Sequence, residues 1–357
     1  MSNIPAKRIA VFGKIGTSNY GDPFVSECCI YLIQKVAKEL GVGVKITMAD
    51  VYEEDEKVLS ELLENCDCIV YSGGGMNSVR QNKSFYKIMK RAQKTKVTPV
   101  FFNAIGLRKN IKNENKALLT KMFNKDYVHQ ITIMGSINQI DQLLLEPKKY
   151  KLQSVIEPGL WANETYKAKK RKSKIIGVGV IRPEIFEENG NRHSVAKVFT
   201  IYENIIRELQ AGKHRWQLFT NGMRRDYNFA KRLLESLDLE INTYLGRNVI
   251  STKGLVAKIS GFKAVVAARM HANIIATSLD IPQIGLVWND KMSLFGEIVG
   301  CKDRYISSEK LLDGKYIVDK LEQAIKEGYN KEYLGEIKKR TIETIENIVK
   351  CDVPEVS

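Results

Sequence analysis

Residues 264–291 read AVVAARMHANIIATSLDIPQIGLVWNDK, and their chemistry is cationic. Residues 264–268 form a small apolar run that reads as a strand buried on both faces. Arg269 and His271 follow where that strand should end, and residues 272–279 read as a short helix broken by Asp280-Ile281-Pro282. Residues 283–287 are a second strand, with Lys291 just beyond it. An open parallel sheet binds ligands outside the carboxyl ends of its strands, and a helix N-terminus favours anions. Arg269, His271 and Lys291 therefore point to a site for an anionic substrate. Arg182, at the end of the apolar run 175–181 and followed by Pro183, offers a second guanidinium in an equivalent place.

Two glycine-bearing loops are candidates for lying near the ligand. One contains Gly16, Asn19, Gly21 and Asp22 after the first apolar run; it is neither GxGxxG nor a P-loop. The other is Ser72-Gly73-Gly74-Gly75, where three glycines let the backbone approach a ligand and leave amides for an anion. Of four histidines, His129 lies in an apolar strand and reads as a satisfied core residue, while His193 and His214 fall in loops or at helix ends. His271 is the candidate general acid, since adjacent substrate anions would favour its charged form. No cluster has metal-ligand spacing, so no catalytic metal and no bound cofactor are expected. No GxSxG signature supports a serine nucleophile. Cys28, Cys29, Cys66, Cys68, Cys301 and Cys351 lack zinc-type spacing and read as reduced thiols.

The elements that must position these residues alternate along the chain. Expected strands at 8–12, 44–49, 68–71, 99–104, 128–133 and 151–156 are separated by helical patterns. The longest of these, 24–40, starts at Asp22-Pro23, the Asp reading as its cap. A polar basic stretch at 165–173 reads as a linker. A second series follows, with strands at 175–181, 216–220, 240–245, 264–268 and 283–287, and helical patterns at 315–326 and 331–350. Alternation of this kind means parallel βαβ units. The expected fold is α/β, with two Rossmann-like domains at 1–165 and 166–330 facing across a cleft. A last helix at 331–357 is expected to cross back to the first domain.

A chain of 357 residues with 44% hydrophobic and 27% charged residues suits a two-domain globular protein. No signal-peptide pattern or membrane span is evident, so a cytoplasmic location is expected. The net charge of +15 fits a solvated basic surface, an acidic substrate or peripheral contact with the inner face of a membrane. No aromatic-interleaved basic stripe supports nucleic acid.

Several segments together resemble the polysaccharide pyruvyl transferase family. These are Asn19-Tyr20-Gly21-Asp22, Ser72-Gly73-Gly74-Gly75, Phe102-Asn103-Ala104-Ile105-Gly106, Glu157-Pro158-Gly159 as a variant of an Asp-Pro step, and Arg269-Met270-His271 with Pro282 and Lys291 behind it. The resemblance implies a GT-B-like fold, phosphoenolpyruvate as donor, a saccharide acceptor that is often lipid-linked, and a pyruvate ketal as product. By motif it assigns donor binding to Arg182 and Lys291 and catalysis to His271; Arg269 joins the donor side by position. It adds Asn103 to the loops near the ligand. Arg192 is a rival to Arg182. Met134-Gly135 departs from an expected Arg-Asp element. The alternatives are a GT-B nucleotide-sugar glycosyltransferase and a non-catalytic anion-binding protein of polysaccharide assembly.

Overall fold

A computed structural model of the chain describes residues 6–94, 96–108, 110–146, 151–188 and 194–351. The chain divides into two compact units. One holds residues 1–17, 22–158 and 335–357; the other holds 18–21 and 159–334. The division therefore falls at Pro158, ahead of the basic stretch at 165–173. That stretch is not a linker. It is anchored in the second unit, where the Arg171 amide donates to the Ser260 carbonyl at 2.8 Å and its guanidinium to the Ala257 carbonyl at 2.6 Å.

In the first unit the order is β1 (Lys7–Gly13), α1 (Gly21–Glu39), β2 (Val44–Asp50), α2 (Glu56–Glu64), β3 (Cys68–Tyr71), β4 (Gly74–Gly75), α3 (Val79–Ala92), β5 (Val100–Gly106), α4 (Asn113–Phe123), β6 (Val128–Ile133), α5 (Asn138–Asp141) and β7 (Lys151–Ser154). Its sheet is parallel, in the order β2-β1-β3-β5-β6-β7, with the short β4 against β5. The chain steps from β1 to β2 on one side and then to β3 on the other. The switch point lies between β1 and β3, whose side chains are almost wholly apolar. A strand covered on both faces must read this way.

The second unit runs α6 (Ala162–Thr165), β8 (Ile175–Gly179), α7 (Glu184–Glu188), α8 (Val195–Ala211), β9 (Arg215–Phe219), α9 (Arg224–Ser236), α10 (Ile241–Tyr244), α11 (Thr252–Ser260), β10 (Ala264–Ala267), α12 (Met270–Ser278), β11 (Gln283–Leu286), α13 (Asp290–Ile298), β12 (Tyr305–Ile306) and α14 (Gly314–Glu327). Its sheet, β12-β11-β10-β8-β9, is parallel throughout and repeats the same winding, with its switch point between β8 and β10. Each unit has its own core, the first around Phe12, Tyr71, Phe85 and Phe102, the second around Val178, Tyr202, Ile205 and Phe229.

The strand expected at 240–245 is a helix, α10, because the Glu240 carboxylate accepts from the Asn242 amide at 3.4 Å and caps a turn. Asp22 lies inside the first turn of α1 and not before it. The last helix, α15 (Lys331–Lys350), groups with the first unit from Gly335 onward. There the Thr341 hydroxyl accepts from the Ile156 amide at 3.1 Å, and Gln130 Nε2 donates to the Thr344 carbonyl at 3.1 Å. No helix among the described residues is long and apolar enough to cross a membrane.

Candidate functional site

The second unit gathers its charges at the β8/β10 switch point. The main chain leaves β8 at Gly179, and three residues later Arg182 turns back along the sheet edge. Arg269 follows β10 and precedes α12 without any side-chain cap on that helix. Between them stands Asp226, in the first turn of α9 and completely buried. Arg182 Nη1 donates to Asp226 Oδ1 at 3.2 Å, and the Arg182 amide reaches the same oxygen at 3.3 Å. Arg269 Nε donates to Asp226 Oδ2 at 3.0 Å, and its Nη2 contacts the same oxygen. The Met223 sulfur accepts from both guanidinium groups, at 3.7 and 3.2 Å.

Two guanidinium groups here share one buried carboxylate, Asp226, while the exposed Glu184 carboxylate stands 3.8 Å from Arg182 Nε at the rim. The two arginine side chains are only 12% and 11% exposed. A guanidinium shielded from water attracts an anion more strongly than a solvated one. The uncapped amides of the first turn of α12 add partial positive charge in the same place. Nη2 of Arg182 and Nη1 of Arg269 take no part in the bonds to Asp226 and Met223. Asp226 thus holds both heads in fixed orientation while leaving donors to spare.

His271 is the second residue of α12. Gly21 lies directly against its ring: a Cβ at Gly21 would stand 2.2 Å from His271 Nδ1. Only glycine permits that approach. Residues 18–21 belong to the second unit, and the Tyr20 amide donates to the Asn221 carbonyl at 3.0 Å. Lys291 occupies the first turn of α13, one strand further along the same edge, on a helix capped by Asn289. The structure therefore brings Arg182, Arg269 and His271 to one switch point, with Gly21 of the segment 18–21 against the His271 ring and Lys291 in the first turn of α13 on the next strand.

The remaining candidates lie in the first unit. Gly16 and Ile15 donate their amides to the Asp50 carboxylate, at 2.5 and 3.0 Å, which pins the loop to the end of β2. The Asp22 carboxylate is 3.7 Å from Lys14 Nζ. Gly73 adopts φ 118°, and a side chain there would press to 3.0 Å from the Asn103 carbonyl. The turn at 73–75, expected to leave amides for an anion, in fact includes a short strand, with Gly74 and Gly75 pairing with Ile105 and Gly106 as β4. Asn103 is fully buried and donates to the Cys29 sulfur at 3.5 Å. Burial pushes the Cys29 thiol up to about 12, an effect the Asn103 bond offsets in part. At the switch point itself, the Ser26 and Ser72 hydroxyls meet at 2.7 Å.

His214 pairs with Glu322 at 3.2 Å. His129 meets the Phe101 ring edge-on at 5.9 Å; burial holds its pKa below the ordinary value, and its Nδ1 finds no partner among the described residues. Arg192 and His193 lie outside the described residues. Among those described, no group of three or more His, Cys, Asp or Glu could hold a metal ion.

Asp226 was not singled out by sequence, although a signal existed. Residues 226, 229, 230, 233 and 234 recur at helical spacing, and the last four are apolar. An aspartate on that stripe must be buried and so must meet a cation.

No protein-family model matches the chain, and no curated protein matches it. Solved structures do. The chain is similar to the UDP-GlcNAc 2-epimerase of Methanocaldococcus jannaschii, at 13% identity and a TM-score of 0.58, over 91% of this chain and 94% of that one. It is similar to the UDP-GlcNAc 2-epimerase of Neisseria meningitidis bound to UDP-GlcNAc, at 13% identity and 0.53, over 97% and 98%. It is also similar to an α,α-trehalose-phosphate synthase (UDP-forming) from Burkholderia vietnamiensis, at 9% identity and 0.54, over 98% and 97%. The fold is GT-B-like. At identities this low the likeness concerns the fold alone.

Proposed function

We propose that this chain transfers pyruvate from phosphoenolpyruvate to a sugar of a cell-surface polysaccharide or glycan precursor. The observation that supports this most is the Arg182–Asp226–Arg269 cluster with His271 two residues beyond Arg269. Phosphoenolpyruvate carries a phosphate and a carboxylate within a few atoms, and a compact cationic site matches it better than an extended groove. The sequence resemblance at Arg269-Met270-His271, Pro282 and Lys291 points the same way. In this reading Arg182, Arg269 and Lys291 hold the donor. Protonated His271 gives its proton to the methylene carbon. A sugar hydroxyl bonds to the adjacent carbon, the bond to phosphate oxygen breaks with its electron pair leaving on phosphate, and a second hydroxyl closes the ketal. One hydroxyl proton restores His271 and the other leaves with phosphate. The arginines stabilise the charge on the departing phosphate. The test is phosphate release and ketal formation, detected by mass, across a panel of glycan acceptors. Full transfer by His271→Gln would remove the assigned acid.

The likeness in fold favours a second reading, a nucleotide-sugar enzyme such as a GT-B glycosyltransferase. Two of the similar solved structures are UDP-GlcNAc 2-epimerases and one is a UDP-forming trehalose-phosphate synthase, and none of the three is a pyruvyl transferase. Thermal stabilisation separates the readings, because a ligand that binds only the folded state raises the melting temperature. Stabilisation by UDP-GlcNAc and none by phosphoenolpyruvate would select the second. A non-catalytic anion-binding role predicts stabilisation without phosphate release from any acceptor.

A further inference from the structure

Asn221 is a buried amide whose Nδ2 has no hydrogen-bond partner among the described residues, on a side chain 1% exposed. It sits in the loop between β9 and α9, and that loop is braced with unusual completeness. The Thr220 hydroxyl bonds Asn248 Oδ1 at 2.7 Å, the Gly222 amide donates to the Thr220 hydroxyl at 3.3 Å, and Asn248 Nδ2 donates to the Gly222 carbonyl at 2.7 Å. Gly222 takes φ 108°, which a side-chain-bearing residue would resist. Thr220 and Gly222, on either side of Asn221, are thus fixed through one partner, and the Asn221 carbonyl accepts from Tyr20. What the bracing leaves unspent is the Asn221 side-chain donor. A buried donor without an acceptor is costly, so an acceptor from outside the chain is favoured there.

The loop also adjoins the cationic cluster. Met223, two residues on, touches both arginines, and Asp226 binds them. Tyr20 contacts Asn221 while the next residue, Gly21, lies on the His271 ring. Consecutive Cα atoms are about 3.8 Å apart, so Asn221 and His271 border the same small space.

We propose that Asn221 is a specificity-determining residue of this site, its amide donating to the carboxylate of a small donor whose phosphate is held by Arg182 and Arg269. This rests on the phosphoenolpyruvate reading. It differs from a bracing role because a bracing residue would affect every ligand alike. The test is calorimetric titration of the full chain with phosphoenolpyruvate and, separately, with inorganic phosphate. Asn221→Ala should weaken phosphoenolpyruvate by about tenfold, the value of one lost hydrogen bond, and leave inorganic phosphate unchanged. Asn221→Asp, nearly isosteric but anionic, should weaken phosphoenolpyruvate further. Asn248→Ala, which loosens the loop, should weaken both ligands together. Equal losses for both ligands in Asn221→Ala, or no loss for either, would overturn the assignment. Wild-type protein that binds inorganic phosphate but not phosphoenolpyruvate would overturn the donor reading, and the carboxylate assignment with it.

Discussion

At the switch point of the first sheet, the side chains beside β1 and β3 are Ser26 and Ser72, joined hydroxyl to hydroxyl, with Gly13 and Gly73 on the strand ends. At the switch point of the second, they are Arg182, Arg269 and the buried Asp226, with His271 alongside. The winding is the same in both units, parallel and reversing after the second strand. The chemistry is opposite, neutral hydroxyls and bare backbone in one, buried arginine–carboxylate pairs in the other. Topology sets where a site can form, and the residue after each strand decides what it can bind.

The sharpest way to break this contrast is to remove the proton donor from the charged site. His271→Gln is expected to lower transfer by about 10²–10⁴-fold, read as phosphate release, while thermal stabilisation by phosphoenolpyruvate persists. Next in size is Asp226→Ala, which leaves two guanidinium groups facing each other without their counter-charge. Urea unfolding should show a loss of about 3–5 kcal/mol, and donor binding should fall with it. Stability unchanged by that substitution would mean the arginines do not depend on Asp226. The neutral site should answer much more weakly. Ser26→Ala removes one neutral hydrogen bond and should cost about 1 kcal/mol by the same assay; a loss as large as that of Asp226→Ala would erase the contrast. The smallest effect is one of pH. Burial depresses the His129 pKa below its ordinary 6.5, so the folded unit prefers the neutral ring. That contribution is complete above pH 6.5 and is lost as pH falls below it toward the folded value, since the unfolded chain binds the proton first. His129→Gln should flatten the fall in melting temperature on that acid side.

Much of the fold was legible because both sheets are parallel and buried. Strands such as β3, β8 and β10 read as short apolar runs, and Arg182, Arg269 and His271 stood just beyond the ends of β8 and β10. Arg182, Arg269 and His271 were found in this way. Other features were set by tertiary contacts that no local pattern announces. Residues 240–245 contain the strand-favouring Ile241, Thr243 and Tyr244, yet Glu240 caps them into the short α10. Gly74 and Gly75 read as a turn, yet β3 stops pairing with β5 at Phe102, and they take up the same β5 edge at Ile105 and Gly106. Asp226 and Asn221 are ordinary polar residues by type. Their meaning lies in whom they meet: one is filled on both oxygens and the other is left with a donor to give.

The return of α15 bears on how the protein is made. Thr341 bonds across 185 positions to Ile156, and Gln130 across 214 to Thr344. The first unit is therefore discontinuous in sequence, with the second threaded between its parts. A ribosome delivers all of residues 159–334 before the closing helix exists. The second unit, whose own core needs nothing from α15 beyond its first residues, is free to fold during synthesis. The first must wait with the α15 side of β3 and β6 uncovered, and that interval is when the nascent chain is most open to aggregation or chaperone capture.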